Sequence, residues 1–189
     1  STRFADVEEN LKRIREAIAE AARKSGRRPE DITLLAATKT VPAEVVNHAI
    51  SLGVAHIGEN RVQELCDKYE NISKPVHWHM IGHLQTNKVK YIIDKVELIH
   101  SVDSLHLAKQ IEKEAVKKGV DAQILVQVNI AQEDTKFGID GPEVMSLVEE
   151  ISKFPHIHIR GLMTSAPFVA NPEENRCYFK NCLLYTSDA

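Results

Sequence analysis

Long apolar runs, cysteines and an excess of charge of either sign are all scarce in this 189-residue chain. No apolar run approaches the roughly 18 residues needed to cross a bilayer. Arg3, Asp6, Glu8 and Glu9 stand where a signal peptide would need its apolar core, so the expected compartment is the cytoplasm, with no membrane partner. The three cysteines, Cys66, Cys177 and Cys182, form an odd set without CxxC spacing, which suggests neither a disulfide framework nor a cysteine zinc site; free thiols are expected. Lys and Arg number 24 against 27 Asp and Glu, a formal charge of −3 with both signs interspersed, so there is no electrostatic case for a nucleic-acid partner. Gly/Ser-rich linkers and low-complexity segments are absent as well, and at about 150 residues per domain the length favours one domain. With 43% hydrophobic and 27% charged residues, what remains is an ordinary globular composition.

Periodicity then assigns the elements. Phe4, Val7, Leu11, Ile14, Ile18 and Ala21 fall on one helical face and predict a helix over residues 2–24, ended by Gly26 and Pro29. The nearly continuous apolar run 32–38 predicts a strand buried on both faces, as in a parallel sheet. Strand and helix then alternate: strands at 54–57, 77–81, 98–102, 123–130 and 158–163, and helices at 45–52, 61–69, 87–93, 105–118 and 142–152. Strict alternation with right-handed crossovers leaves a doubly wound sheet or a (β/α)8 barrel. No GxGxxG opens the first turn, which favours the barrel. Complete barrels run from about 200 residues upward, so about six of the eight βα units are expected here. A sixth helix starts at 172–179, but Cys182 to Ala189 neither extends an amphipathic pattern nor caps a helix. The expectation is a partial barrel domain over residues 1–180 and a non-native tail over 181–189.

Lys39 follows the first strand directly, on the face where barrel active sites lie. Walled by apolar strand residues, its amine could attack a carbonyl to form a Schiff base; the alternative is a lysine that reaches solvent or pairs with a carboxylate. His77, His79 and His83 form a second cluster, with the first two on one side of a strand. They could bind a metal for hydrolysis, although lining the barrel mouth suits them better. His156 and His158 repeat the spacing at the amino end of a strand, where packing explains them. Glu59 could answer a cation, Asn60 and the pair Thr86-Asn87 read as helix caps, and the loop Gln132 to Gly138 sits on the active face. Gly161 would permit close backbone approach, with Thr164 and Ser165 offering hydroxyls.

Taken in order, Ala37-Thr38-Lys39-Thr40-Val41-Pro42, Gly58-Glu59-Asn60-Arg61-Val62-Gln63-Glu64, the run His77 to Lys88, His100-Ser101-Val102-Asp103, Lys136-Phe137-Gly138 and Arg160-Gly161-Leu162-Met163-Thr164 resemble the pyridoxal phosphate homeostasis protein family. The resemblance runs to about Lys180. It implies the barrel of alanine racemase without the second, β-rich domain, holding pyridoxal 5'-phosphate (PLP) as a Schiff base on Lys39. It further implies that Asn60, His79 and Met163 lie near the cofactor ring and that Lys136 belongs to a mobile loop. The function implied is that of a non-catalytic, monomeric carrier that buffers PLP and delivers it to apo-enzymes, without a metal. A racemase-like enzyme and a metal hydrolase using His77, His79 and His83 are the alternatives. The family's Gly-Met-Ser and Arg-Ile-Gly phosphate-gripping segments do not occur, so the chain carries the covalent anchor without the phosphate clamp.

Overall fold

A computed structural model describes residues 2–133 and 137–188. Six strands follow one another in chain order, β1 (Leu35–Ala37), β2 (His56–Glu59), β3 (His77–Met80), β4 (Leu98–Val102), β5 (Ala122–Val128) and β6 (Ile157–Thr164). The pairings of β1 with β2, β3 with β4, β4 with β5 and β5 with β6 are all parallel. Neighbours in chain order are the topology of a (β/α)8 barrel; a doubly wound sheet would reverse its strand order at a switch point. The chain divides into two compact units, residues 1–59 with 63–78, and residues 60–62 with 79–189.

In the first unit, α1 (Thr2–Lys24) agrees with the periodicity, but its apolar face is only partly covered. Leu11 and Ala22 are buried, whereas Phe4 and Ile14 are exposed and so is Ala21, contrary to expectation. Its main contact is with α2 (Ala43–Ser51), where the Phe4 and His48 rings lie 4.6 Å apart and Arg15 Nη1 donates to the Leu52 carbonyl at 2.9 Å. The core gathers Val45, Val46, Ile57, Leu65 of α3 (Val62–Tyr69), Ile72 and Trp78. β1 departs from the expected doubly buried strand. Only three of the seven residues form it, none is buried, and Ile32 is 41% exposed. The reason is that β1 pairs with β2 alone among the described strands, so one edge and much of its apolar surface stay open.

In the second unit, the expected helix 105–118 appears as a helix with those bounds. Ser104 Oγ accepts from the Leu107 amide at 3.1 Å, which satisfies one of the free N–H groups of its first turn, and Gly119 ends it. We number the short helix before it, Val89–Ile92, α4 and Leu105–Lys118 itself α5. Thr86-Asn87 is not a side-chain cap as expected: both residues lie inside a single 3-10 turn, Thr86–Lys88, and no side chain caps it or α4. β5 buries every second residue, Ala122, Ile124, Val126 and Val128. α6 (Val144–Ser152) buries Val144, Leu147 and Ile151. In β6 the register against β5 shifts between the Ile124–Ile159 and Leu125–Gly161 pairs, and Gly161 takes φ 152° at that shift. A Cβ on Gly161 would meet only Leu125 Cδ2, at 3.7 Å, so this glycine serves the irregular backbone and not the close approach read from the sequence. Beyond it, α7 (Arg176–Asp188) continues past residue 180, so residues 181–188 are helical, with Leu183 and Leu184 each more than half exposed. Cys66, Cys177 and Cys182 are free thiols. No described helix is long and apolar enough to cross a membrane.

Candidate functional site

β1 ends at Ala37, and one further backbone bond, Thr38 N–H to the Gly58 carbonyl at 2.9 Å, fixes where the chain leaves the sheet. A tight turn follows. Val41 N–H returns to the Thr38 carbonyl at 3.1 Å, Lys39 occupies the corner, and Thr40 adopts φ 60°, a conformation that a β-branched residue rarely takes. The Lys39 side chain is exposed. Among the described residues, none donates to it, accepts from it or forms an ion pair with it. The wall of apolar strand residues expected around Lys39 is therefore not there, because β1 is itself half-open; of the alternative reading, the reach to solvent is seen and the carboxylate partner is not, among the described residues.

Both nearby carboxylates are engaged elsewhere. Lys68 Nζ, on α3, lies 2.8 Å from Glu59 Oε1 and 2.7 Å from Glu64 Oε1, and also donates to the Thr38 carbonyl at 2.7 Å. Thr38 Oγ1 donates to Glu59 Oε1 at 2.8 Å, and the Thr40 amide donates to Glu64 Oε1. Glu59 is fully buried and the Lys68 side chain is 13% exposed. Burial alone would lower the Lys68 value, but its hydrogen bonds to Glu59 and Glu64, together with their charges, outweigh burial and hold it above the ordinary lysine range. The cation anticipated for Glu59 is thus Lys68, which sequence reading did not single out. The Glu64–Lys68 spacing of four was the available signal.

In the second unit, Asn60, His79 and Met163 come from the carboxyl ends of strands. Asn60 follows the last residue of β2, and its backbone packs on Gly82 just beyond β3. A Cβ on Gly82 would lie 2.7 Å from Asn60 Cα and would overlap its carbonyl oxygen, so only glycine permits that approach. His79 is buried, and its Nδ1 lies 2.9 Å from His100 Nε2 with the rings edge to face. Burial pushes His100 down to about 4, so at neutral pH it carries a single ring proton, and one of the two imidazoles donates to the other. His100 entered the sequence reading only within the run His100-Ser101-Val102-Asp103, with no role assigned; it lies 21 positions from its partner, beyond any local pattern. Met163 is half-buried on β6 opposite Gln127. Lys136 lies outside the described residues.

The histidines proposed as a metal cluster have separate ring partners. His77 stacks on His56 at 4.5 Å in the first unit, and His83 stacks on Phe137 at 3.9 Å in the second. His156 and His158 pair with Glu112 and Asp121; His158 is exposed with its partner, so a surface pair replaces the packing role expected for it. The Thr164 hydroxyl donates to the Val128 carbonyl at 3.0 Å and is spent on the β5–β6 junction. A cavity of about 600 Å³ beside β6, lined by Val148, Ile157, Arg160, Leu162 and Thr186, contains neither His79 nor Met163.

Parallel strands in chain order alternating with helices define the class of barrel-type α/β proteins. Residues 6–185 match the family described as alanine racemase, N-terminal domain. The chain is 43% identical over 173 residues to the pyridoxal phosphate homeostasis protein of Aquifex aeolicus, covering 91% of this chain and 76% of that protein. With the protein of the same name from Escherichia coli K12 it shares 36% identity over 162 residues, covering 84% and 69%. PipY of Synechococcus elongatus, solved with PLP bound, superposes with a TM-score of 0.77 at 31% identity, over 90% of this chain and 81% of PipY. The chain belongs to the alanine racemase N-terminal domain family and, within it, to the pyridoxal phosphate homeostasis proteins.

Proposed function

We propose that this chain is a cytoplasmic, non-catalytic carrier of PLP, which it attaches covalently through Lys39 Nζ and passes to apo-enzymes. The observation that carries the reading is the state of that amine. It sits at the carboxyl end of β1, exposed to an incoming ligand, with no carboxylate bound to it among the described residues. A lysine outside any ion pair is open to a carbonyl ligand, whereas one held by a carboxylate must first give up that partner before its nitrogen can attack. PLP, when bound, supplies an aldehyde that a lysine amine can take up and later release. The relatives named for PLP homeostasis and the PLP-bound PipY support the same reading. Asn60, His79 and Met163 are proposed to line the cofactor ring, with His100 fixing the orientation of the His79 imidazole. Lys136 is proposed as a further contact.

Borohydride reduction in the presence of PLP, followed by peptide mass spectrometry, tests the assignment. A single adduct on the Lys39 peptide is expected in the wild type, with its loss in a folded Lys39→Ala protein. Undiminished labelling of Lys39→Ala would overturn the reading, with Lys136 the next residue to examine.

A further inference from the structure

Lys68 is an expensive residue for this fold to keep. A buried ion pair is often no more stabilising than apolar side chains of the same volume, because desolvation consumes the attraction. Here the pair includes a carboxylate with no exposure at all, and Glu59 Oε2 has no hydrogen-bond partner among the described residues. The turn beside it is strained as well, since Thr40 takes a backbone conformation that glycine normally fills at the third position of a turn. These costs meet at one place. Lys68 holds the peptide carbonyl before Lys39, and Glu64, itself held by Lys68, takes the amide after it. The same ammonium occupies both carboxylates of the network, Glu59 and Glu64.

We propose that Lys68 is a positioning residue for Lys39: it draws Glu59 and Glu64 into ion pairs and clamps the turn, so that the Lys39 amine stays an unpaired nucleophile. The inference deepens the carrier reading and rests on it for its purpose, but not for its test. Lys68, Glu59 and Glu64 together carry one net negative charge at the turn that holds Lys39. Removing Lys68 withdraws the only positive member, and the part-exposed Glu64 stays a carboxylate bonded to that turn even where the fully buried Glu59 takes up a proton, which favours ammonium at Lys39 and reduces its reactivity. Replacing Glu64 by glutamine makes the net charge zero while leaving an oxygen to accept from Thr40 N–H and from Lys68, which raises the reactivity. A purely structural role would lower reactivity in both variants or in neither.

The test uses trace acetic anhydride at pH 8 and no cofactor, with Lys39 acetylation read by peptide mass spectrometry relative to the exposed Lys12 of the same molecule. The ratio is expected to fall about threefold or more in Lys68→Met and to rise by a similar factor in Glu64→Gln. Lys68→Arg, which keeps the charge, should return it to within about twofold of the wild type. A Glu64→Gln ratio that does not rise overturns the proposal, and so does a folded Lys68→Met ratio that does not fall. If Lys68→Met does not fold, Glu64→Gln decides alone. Because the probe is not PLP, loss of PLP attachment to Lys39 and loss of this charge effect are separate results.

Discussion

At the end of β1 and β2, the first unit keeps three ionised side chains, Lys68, Glu59 and Glu64, within hydrogen-bonding distance of one another. On β3 and β4, the second unit keeps two imidazoles, His79 and His100, and burial strips the charge from His100. A group removed from water retains its charge when a counter-charge and hydrogen bonds accompany it, and loses the charge when only a neutral partner is offered. The two arrangements should therefore fail in different ways. Lys68, raised above its unfolded value, contributes stability that is complete below about pH 10.4 and is lost as pH rises through its folded value. His100, depressed to about 4, resists the proton that an unfolded histidine takes near 6.5. Its contribution is complete above pH 6.5 and disappears as pH falls toward 4.

The largest expected effect follows from removing the cation. Lys68→Met leaves Glu59 buried without its counter-charge and should cost about 3–5 kcal/mol, read by urea denaturation at pH 7. A loss below 1 kcal/mol would mean that the ionic arrangement is no stronger than the neutral one. The next effect concerns acid. Between pH 7 and pH 5 the wild type should lose about 1 kcal/mol through His100, after discounting for the solvent that still reaches its ring, and His100→Gln should lose correspondingly less. Equal slopes for the two proteins would remove His100 from the comparison. The smallest effect sets the baseline: Leu184→Ser, on the exposed side of α7, should change stability by less than about 0.5 kcal/mol in the same denaturation experiment.

What the sequence disclosed, and what it withheld, divides along the range of the interactions involved. α5 was legible because its apolar spacing acts within a few residues, and the Ser104 cap and Gly119 stop that the structure adds are equally local. The placement of Lys39 at a strand end was legible for the same reason. β1 was legible in position and misread in burial, since burial depends on whether a second strand pairs beside it. Lys68 was hidden because two of its partners, the Thr38 carbonyl and Glu59, lie 30 and 9 positions away, and only Glu64 falls at helical spacing. For His77, His79 and His83 the spacing left two readings open, a common ligand set or, more suitably, residues lining the barrel mouth; the ring of each meets an aromatic or imidazole partner from elsewhere in the chain, which no local spacing discloses. The resemblance to the family supplied what periodicity could not, namely which strand-end residues to examine.

Gly82 and His83 are consecutive, and the freedom left to evolution at the two could hardly differ more. His83 is exposed and touches Phe137 through its ring alone, so drift there is cheap. At Gly82 even one added carbon collides with the main chain of Asn60, which has no flexible end to swing aside. The barrier is set by backbone against backbone and so applies to all nineteen replacements alike, whatever their polarity. The constraint at position 82 is thereby independent of which side chain stands at position 60, because every residue there would bring the same main-chain atoms.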